Sequence, residues 1–439
     1  MFENLSLNKL AKLTKFTSRK SGKLSPIQFI DLLLYGVSTG IKSLEQMCQY
    51  AKEEHSIEIS KQALDQRFSS SSTCFMKELV SEVLKSQVTE SLHPSTLQHF
   101  NTVKIKDSTI IELHESLSDC FEGFGKGGGR NSKSGVSVQF EYDLKTHRIY
   151  DIDLSSAVKK DSLDARGKTG TIQEKDLIIR DLGYYSDDVI GKIIERKAYF
   201  LSKLYHSTGV RRMVGKQIEK DKIDFGSLYQ EMVQKGLSEL DFQVALGRKA
   251  RVVRMVVILM PDSVYEQRVR QKNKENKSTR YTTSQEYKER AHFNIYICNI
   301  GENVIDTKSI SELYRVRWQI ELVFKSWKSV LKINEFRKIK KERFVTTMFA
   351  KILWMLINWT IFSSYRGEFY QSNKKLLGIV RGFTALKEES NKIRRIFFSS
   401  KKEISILFEK ILNKLRLIKG YKRRKNRYNI IDLIHLLFV

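Results

Sequence analysis

The segment Val103-Lys-Ile-Lys-Asp107 alternates apolar and basic residues and ends in an aspartate. Alternation with a period of two predicts a β-strand. Residues 136–142 and 148–154 predict two further strands, the apolar run Leu177-Ile-Ile179 is typical of a buried strand, and residues 198–204 predict another. Three strands in succession, followed by strands interleaved with helical segments, indicate an α/β fold built on a mixed sheet.

A helical region over residues 1–95 precedes these strands. Ser25-Pro26 predicts a helix start, because serine caps helices and proline is tolerated at the first helical position. Segments 43–52 and 60–68 predict two more helices with a short polar turn between them. This pair is either a DNA-binding helix-turn-helix, in which Lys61 and Arg67 face outward, or an ordinary helical hairpin.

Residues 205–291 are predicted to be an insertion in the α/β region. Segments 240–246 and 251–260 have the character of strands, so the insertion is expected to be β-rich. Residues 268–290 contain eight basic and three acidic residues, which must be solvated or lie on phosphates. Residues 293–298 then predict a return to the sheet.

A helical, basic region is predicted over residues 339–439. Its most apolar segment, 344–362, is interrupted by Lys351 and Asn358, and a charge near the centre of a bilayer is costly. We therefore expect a buried core helix rather than a membrane span. Eight lysines and arginines within residues 414–427 indicate either a patch that binds the DNA backbone or a solvated surface.

The composition indicates a polyanionic partner. The chain has 439 residues and a formal net charge of +28, with an isoelectric point near 9.7, which favours nucleic acid. Its four cysteines are far apart, which argues against a disulfide scaffold and a zinc site. The first twenty residues contain no continuous apolar stretch, so we expect no secretory signal and a cytoplasmic protein.

A cluster of functional side chains is predicted on one helix. Ser309 followed by Glu312 has the spacing of a capping box, and the helix is expected to run to about residue 332. Tyr314, Arg317, Glu321 and Lys328 would then share one face of it. Such a face can bind a metal through its carboxylate and phosphates through the other three groups, or it can be an ordinary charged, solvated face.

Two aspartates strengthen the first interpretation. Asp107 ends an alternating strand, and Asp181 closely follows the apolar run 177–179. A carboxylate at the end of an apolar strand is costly unless it is exposed, paired or bound to a metal. Either aspartate alone could be a turn or capping residue, so the argument depends on both of them together with Glu321.

The spacing Tyr314-x2-Arg317-x3-Glu321-x6-Lys328 resembles the YREK signature of DDE transposases of the insertion-sequence-4 type. The surrounding Tyr-Arg-Val-Arg-Trp-Gln-Ile-Glu-Leu-Val-Phe-Lys-Ser-Trp-Lys is also similar to that family. The YREK element is quite specific, and the whole resemblance spans roughly residues 25–360.

Three other segments resemble the same family. Asp107-Ser-Thr is similar to its first acidic motif and Asp181-Leu-Gly-Tyr to its second. Residues 61–68 resemble a recurring stretch of its N-terminal region. The resemblance implies an RNase H-like core, with residues 96–204 as its first part, the β-rich insertion 205–291, and residues 292–338 as its second part with the Glu321 helix.

The resemblance also implies the chemistry. Asp107, Asp181 and Glu321 would form a DDE triad that holds two Mg²⁺ or Mn²⁺ ions for phosphoryl transfer. Cleavage at the transposon ends would free a 3′-OH, which then attacks target DNA. Tyr314, Arg317 and Lys328 would hold phosphates next to the cut, and a homodimer would bring together the terminal inverted repeats.

Two alternatives remain open at this stage. A non-catalytic DNA-binding regulator or a decayed transposase would bind DNA without cutting it. A plain DNA nuclease with the same core would cut DNA without joining it. All three acids and the whole YREK set are intact, which favours the active transposase over a decayed one.

Overall fold

The computed structural model describes residues 7–17, 23–41, 43–85, 97–125, 132–204, 208–279, 281–373, 377–396, 399 and 401–417. The chain divides into two compact units. The first unit contains residues 1–92, 108–159 and 318–431, and the second contains residues 93–107 and 160–317. One division therefore falls inside a strand, between Asp107 and Ser108, and another falls between Arg317 and Trp318.

The described residues form a ten-stranded mixed sheet with helices, which confirms the predicted α/β class. Its strand order is β3-β2-β1-β4-β5-β10-β9-β8-β6-β7. β1, β4 and β5 pair in parallel, and the pairs from β5 onward through β10 to β7 are antiparallel. The strands are β1 (Val103–Leu113), β2 (Ser134–Asp143), β3 (Ile149–Ser156), β4 (Leu177–Arg180), β5 (Tyr199–Lys203), β6 (Val210–Val214), β7 (Gln217–Ile218), β8 (Glu239–Leu246), β9 (Arg251–Leu259) and β10 (Phe293–Cys298).

The strands predicted from the sequence are present, with one correction. β1 continues to Leu113, so Asp107 lies within the strand and not at its end. The parallel pairing of β1 with β4 nevertheless stops at Lys106, opposite Arg180. Asp107 is thus the first residue of β1 beyond the ladder with β4, which is why its side chain is not enclosed like those before it.

In the part of it that the structure describes, the first unit contains five helices that precede β1 in the sequence and five that follow β10. α2 begins as predicted, since the Ser25 side chain accepts from the Gln28 N–H and the Gln28 side chain accepts from the Ser25 N–H at 2.9 Å. The helices of this unit are α1 (Leu7–Leu13), α2 (Pro26–Thr39), α3 (Leu44–His55), α4 (Lys61–Arg67), α5 (Ser70–Lys85), α12 (Trp318–Ser329), α13 (Lys341–Asn373), α14 (Ile379–Glu388), α15 (Ser390–Arg395) and α16 (Lys401–Arg416).

Helix α13 carries the apolar segment 344–362. Within the described residues, it is the one helix long and apolar enough to cross a membrane, and 78% of its most apolar window is buried inside the protein. Lys351 Nζ donates to the carbonyl oxygens of Lys332 and Glu335, both at 2.8 Å. The side chain of Asn358 donates to the Trp354 carbonyl oxygen at 2.7 Å. The interrupting polar groups are therefore satisfied inside the fold, as expected for a core helix.

The second unit contains six helices among its described residues. Three of them, with strands β6 to β9, lie in the segment predicted as a β-rich insertion, and the basic stretch 268–290 is largely helical. The core of this unit gathers side chains such as Ile178, Phe200, Met255 and Ile297. Its helices are α6 (Asp161–Gly167), α7 (Asp187–Glu195), α8 (Phe225–Gln234), α9 (Asp262–Thr279), α10 (Gln285–Ala291) and α11 (Thr307–Arg315).

The single long helix predicted from Ser309 is wrong in two respects. Asp306, not Ser309, caps α11, because its carboxylate accepts from the Ser309 N–H at 2.8 Å. The helix also stops at Arg315, where the Val316 and Arg317 N–H groups bond three residues back instead of four. The four YREK side chains are therefore divided between α11, the turn after it and α12, and the arc expected for one straight helix does not apply.

Candidate active site

A row of charged side chains crosses β1, β4 and β5 in the second unit. Lys106 pairs with Arg180, so Asp107 and Asp181 occupy the next position on neighbouring parallel strands. Ile179 pairs with Leu201, which places Lys203 beside Asp181 at the same level. Neighbouring strands lie about 4.8 Å apart. The row therefore runs Asp107, Asp181, Lys203. Asp107 and Lys203 lie on the same face of the sheet, because each is two residues beyond one of the mutually paired apolar residues of β1, β4 and β5. Asp181 directly follows β4, and its charge acts on both Lys203 and Tyr314.

An ion pair holds the first member of this row. Arg317 Nη1 donates to Asp107 Oδ2 at 3.0 Å, with 18% and 22% of the two side chains exposed. Arg317 lies two residues beyond the end of α11, in the turn that ends the helix, and this turn places the guanidinium next to the carboxylate. A cation at this point offsets the repulsion between two neighbouring carboxylates.

Tyr314 extends the cluster from α11. Its ring is buried and lies 5.6 Å from Lys203 Nζ and 5.8 Å from the Arg317 guanidinium carbon. Burial raises the pKa of the Tyr314 phenol, and the charge of Asp181 raises it further. The phenol therefore stays protonated and can donate a hydrogen bond at any physiological pH.

Two contacts fix α11 on the sheet. Tyr296, which pairs with Lys203 across β10 and β5, approaches Ser311 of α11 at 3.1 Å between their hydroxyl oxygens. At the helix start, Thr307 Oγ1 donates to Asp241 Oδ2 at 2.5 Å. Asp241 also accepts from Arg254 Nη2 at 2.6 Å. Tyr314 and Arg317 are thus positioned by a bonded network that none of the sequence motifs includes.

The opposite face of β1 is also charged, but there the charges are buried in pairs. Lys104 Nζ lies 2.6 Å from Asp176 Oδ2, with 2% and 1% of the side chains exposed. Lys106 pairs with Asp164, which is also buried. Sequence reasoning missed both pairs, although the alternation of lysines with apolar residues in 103–107 was the available signal. These pairs connect the opposite face of β1 to the residues that pack against it.

Lys203 is the other residue that sequence reasoning missed. Water reaches its side chain, but surrounding protein and the charges of Arg268 and Arg317 lower the pKa of its ammonium. Its position in the sequence was the available signal: Lys203 is the last residue of β5, and Asp181 directly follows the last residue of β4.

The remaining YREK residues lie on α12 in the first unit. Glu321 is exposed in the first turn of α12, where the helix dipole favours a carboxylate. It follows Arg317 by four residues in the sequence. Lys328 Nζ donates to the carbonyl oxygen of Ile110, three residues beyond Asp107 on β1, at 3.1 Å.

The two predicted DNA-binding residues of the N-terminal region have different surroundings. Lys61, on α4, is exposed and lies 3.4 Å from Glu45. Arg67 does not face outward as predicted. Its guanidinium lies 4.4 Å from the centre of the Phe16 ring and donates to the Leu24 carbonyl oxygen at 3.3 Å. Arg67 therefore connects α4 to one residue that follows α1 and one that precedes α2.

The structure brings together part of the expected triad. Asp107 and Asp181 lie side by side with Arg317 and Tyr314 in the second unit, whereas Glu321 belongs to the first unit. Among the described residues, no group of three or more acidic, histidine or cysteine side chains is close enough to hold a metal ion. The two adjacent aspartates still fit a hard divalent cation, because they present carboxylate oxygens on one face of the sheet.

Comparison with known proteins identifies the family. The family model of the transposase DDE domain matches residues 98–357. The chain is 29% identical to the transposase for insertion sequence element IS1151 of Clostridium perfringens, over 99% of this chain and 95% of that protein. It is 24% identical to the transposase for insertion sequence element IS231B of Bacillus thuringiensis subsp. berliner, over 98% and 92%. It is 27% identical to that of IS231F of Bacillus thuringiensis subsp. israelensis, over 84% and 80%. The matched region contains both aspartates, Glu321 and the ten-stranded sheet, and the chain belongs to the DDE transposase family.

Proposed function

We propose that this protein is the transposase of an insertion sequence of the insertion-sequence-4 type. It cleaves the ends of its element and joins the freed 3′-OH to target DNA. The observation that carries the proposal is the parallel pairing of β1 with β4 up to Lys106 and Arg180. Asp107 and Asp181 directly follow this pair, and Arg317 is bonded to Asp107, in a chain of the DDE family. The net charge of +28 suits a DNA substrate.

Asp107, Asp181 and Glu321 are proposed to hold two Mg²⁺ or Mn²⁺ ions. When bound, such ions activate the attacking oxygen and stabilise the leaving oxygen of a phosphodiester. Asp107 and Asp181 supply hard oxygen ligands from one face of the sheet. Glu321, in the first turn of α12, is proposed to supply the third carboxylate.

Arg317, Tyr314 and Lys328 are proposed to hold phosphates of the reacting strand. A guanidinium can bond a carboxylate with one edge and a phosphate with another, so Arg317 can keep Asp107 in place while it contacts DNA. Tyr314 stays protonated and donates a hydrogen bond to a phosphate oxygen. The Lys328 ammonium is held next to β1 by the Ile110 carbonyl oxygen.

The N-terminal helices are proposed to bind the terminal inverted repeats. Lys61 on α4 is exposed and suits contact with the DNA backbone. Arg67, at the end of α4, contacts Phe16 and Leu24 and is proposed to hold α4 in place for this contact with DNA. By family resemblance, we propose a homodimer that joins two DNA ends in the cytoplasm.

The test is a cleavage and joining assay with the DNA that flanks the gene. Purified protein is incubated with labelled end duplexes and a target plasmid, with Mg²⁺, with Mn²⁺ or with EDTA. We expect metal-dependent cuts at the element ends and end-labelled plasmid products. End binding without cuts would indicate a regulator, and cuts without joined products would indicate a nuclease.

A further inference from the structure

A pocket of about 270 Å³ opens beside Lys203 in the second unit. It lies at the end of the row formed by Asp107, Asp181 and Lys203, where β5 meets the helices of the insertion. The polar side chains that line it come from β5, α9, α10 and β10. They are Lys203, Arg268, Tyr287, Arg290 and Asn294.

The lining is strongly cationic. Among the nine described residues that form it, three are basic and none is acidic. Arg268 is fixed in place, since it donates to the carbonyl oxygens of Ala291 at 2.9 Å and Phe293 at 2.8 Å. Arg290 donates to the Thr208 carbonyl oxygen at 3.2 Å and pairs with Glu286, which is 3.4 Å away and mostly exposed. The two guanidiniums are thus held as a rigid cationic wall.

The ammonium of Lys203 lines the same pocket as these two guanidiniums. Within the part of the chain that the structure describes, Lys203 forms no ion pair, and its Nζ lies 5.6 Å from the centre of the Tyr314 ring. Arg268 and Arg317 repel it, and only Asp181 attracts it. Like charges held together in a concave surface favour an anionic ligand.

We propose that this pocket binds a backbone phosphate of the DNA strand that is cut, and that Lys203 is a residue that positions DNA in the reaction. The proposal rests on the proposed function, because it takes the aspartates as the reacting centre. Lys203 is two strands from Asp107, or roughly 10 Å. A DNA strand that lies on the aspartates therefore reaches the pocket within one or two nucleotides. The ligand is a phosphodiester, and Lys203, Arg268 and Arg290 are its cationic partners.

The experiment removes the charge of one DNA phosphate at a time and, separately, the charge of the Lys203 side chain, and asks whether the two losses are additive. End duplexes are prepared with one methylphosphonate at each position near the cut, and the cleavage rate and the affinity are measured for wild type, Lys203→Met and Lys203→Arg. Loss of one charge-assisted contact costs about tenfold. We expect wild type to lose about tenfold at one position, one or two nucleotides from the cut. Lys203→Met should lose about tenfold with unmodified DNA, and the methylphosphonate at the sensitive position should cause no further loss in this variant. Lys203→Arg should again be sensitive to the methylphosphonate at that position, as wild type is.

Lys216→Met is the matched control, because Lys216 is an exposed lysine in the turn between β6 and β7 of the same unit. It should keep the wild-type sensitivity at every position. Equal sensitivity of Lys203→Met and wild type at all positions would overturn the inference while wild-type cleavage leaves the proposed function intact. If wild type binds ends without cutting them, the proposed function fails, and the affinities alone then decide whether Lys203 contacts one phosphate.

Discussion

The two faces of β1 carry charged side chains in opposite states. On one face, Lys104 and Lys106 are buried against Asp176 and Asp164, and all four side chains are nearly inaccessible to water. On the other face, Asp107 is partly exposed next to Asp181, with Arg317 at 3.0 Å. The strand thus separates charges that are satisfied inside the fold from charges that remain accessible.

The difference indicates which charges stabilise the fold and which are available for chemistry. A buried pair is satisfied by its partner, and removal of one member leaves an isolated charge in a medium that solvates it poorly. The row of Asp107, Asp181 and Lys203 is open to solvent and can exchange its contacts for a ligand. Substitutions on the two faces should therefore change different measurements.

The largest effect is expected on the open face. Asp107→Asn or Asp181→Asn removes a carboxylate from the proposed metal ligands, which costs several kcal/mol of transition-state stabilisation, or about a thousandfold in cleavage rate. The midpoint of thermal unfolding should change little. The rate is measured with labelled end DNA in Mg²⁺. Asp188→Asn is the control, because Asp188 forms an exposed pair with Lys249 in the same unit and should cleave normally. A wild-type cleavage rate for either Asp107→Asn or Asp181→Asn would contradict their role as metal ligands.

The buried face should show the reverse. Lys106→Met removes the closer cationic partner of the buried Asp164, leaves it with Lys168 at 3.5 Å, and is expected to lower the free energy of unfolding by about 3 kcal/mol. The rate per folded molecule should stay within a few-fold of wild type. Urea denaturation measures the first quantity and cleavage by the folded fraction measures the second. The double variant Lys106→Met with Asp164→Leu should recover most of the stability, and a single variant as stable as wild type would show that the pair contributes nothing.

A third prediction concerns a buried group that is neutral. Burial, and secondarily the Arg366 guanidinium, lowers the pKa of His147 from 6.5 to about 3. The unfolded chain therefore binds a proton below pH 6.5 that the folded chain does not. Stability should fall as the pH falls from 6.5 towards 3, with a contribution of about 1.4 kcal/mol per pH unit from this residue. His147→Gln should remove that part of the slope in denaturation curves, whereas an unchanged slope would mean that His147 is protonated in the fold.

The smallest effect is expected at the N-terminal surface. Lys61→Met removes one exposed charge and a weak pair with Glu45, so stability should change by less than about 1 kcal/mol. Affinity for end DNA should fall a few-fold and depend less on salt, as for loss of one phosphate contact. Arg67→Met should instead lower stability, because it loses its contacts with Phe16 and Leu24. Filter binding measures the affinity for end DNA, and thermal unfolding measures the stability. Equal changes of affinity and stability in Lys61→Met and Arg67→Met would show that the two residues do not differ in role.

Sequence reasoning predicted most strands and both aspartates, because alternation and apolar runs are local signals. It could not predict that Asp107 lies within β1, since the end of the ladder with β4 depends on where β4 stops. The register that places Lys203 beside Asp181 is likewise a property of strand pairing, and no spacing in the sequence encodes it. The row of Asp107, Asp181 and Lys203 could therefore be predicted only in part from the sequence.

The YREK helix shows a second kind of limit. The assignment of Tyr314, Arg317, Glu321 and Lys328 to one signature stays a prediction, and the geometry inferred from their spacing wrongly assumed one straight helix. The chain tightens at Val316, so Arg317 turns to Asp107 while Glu321 and Lys328 belong to the next helix. The motif marks the residues, and tertiary contacts decide where each one lies.

The central claim is that Asp107 and Asp181 jointly bind a divalent cation. Titration of the DNA-bound protein with Mn²⁺, followed by electron paramagnetic resonance, tests it without relying on turnover. The account predicts bound Mn²⁺ for wild type and a marked loss of binding for both Asp107→Asn and Asp181→Asn, with Asp188→Asn like wild type. Unchanged Mn²⁺ binding in the two active-face variants would contradict it.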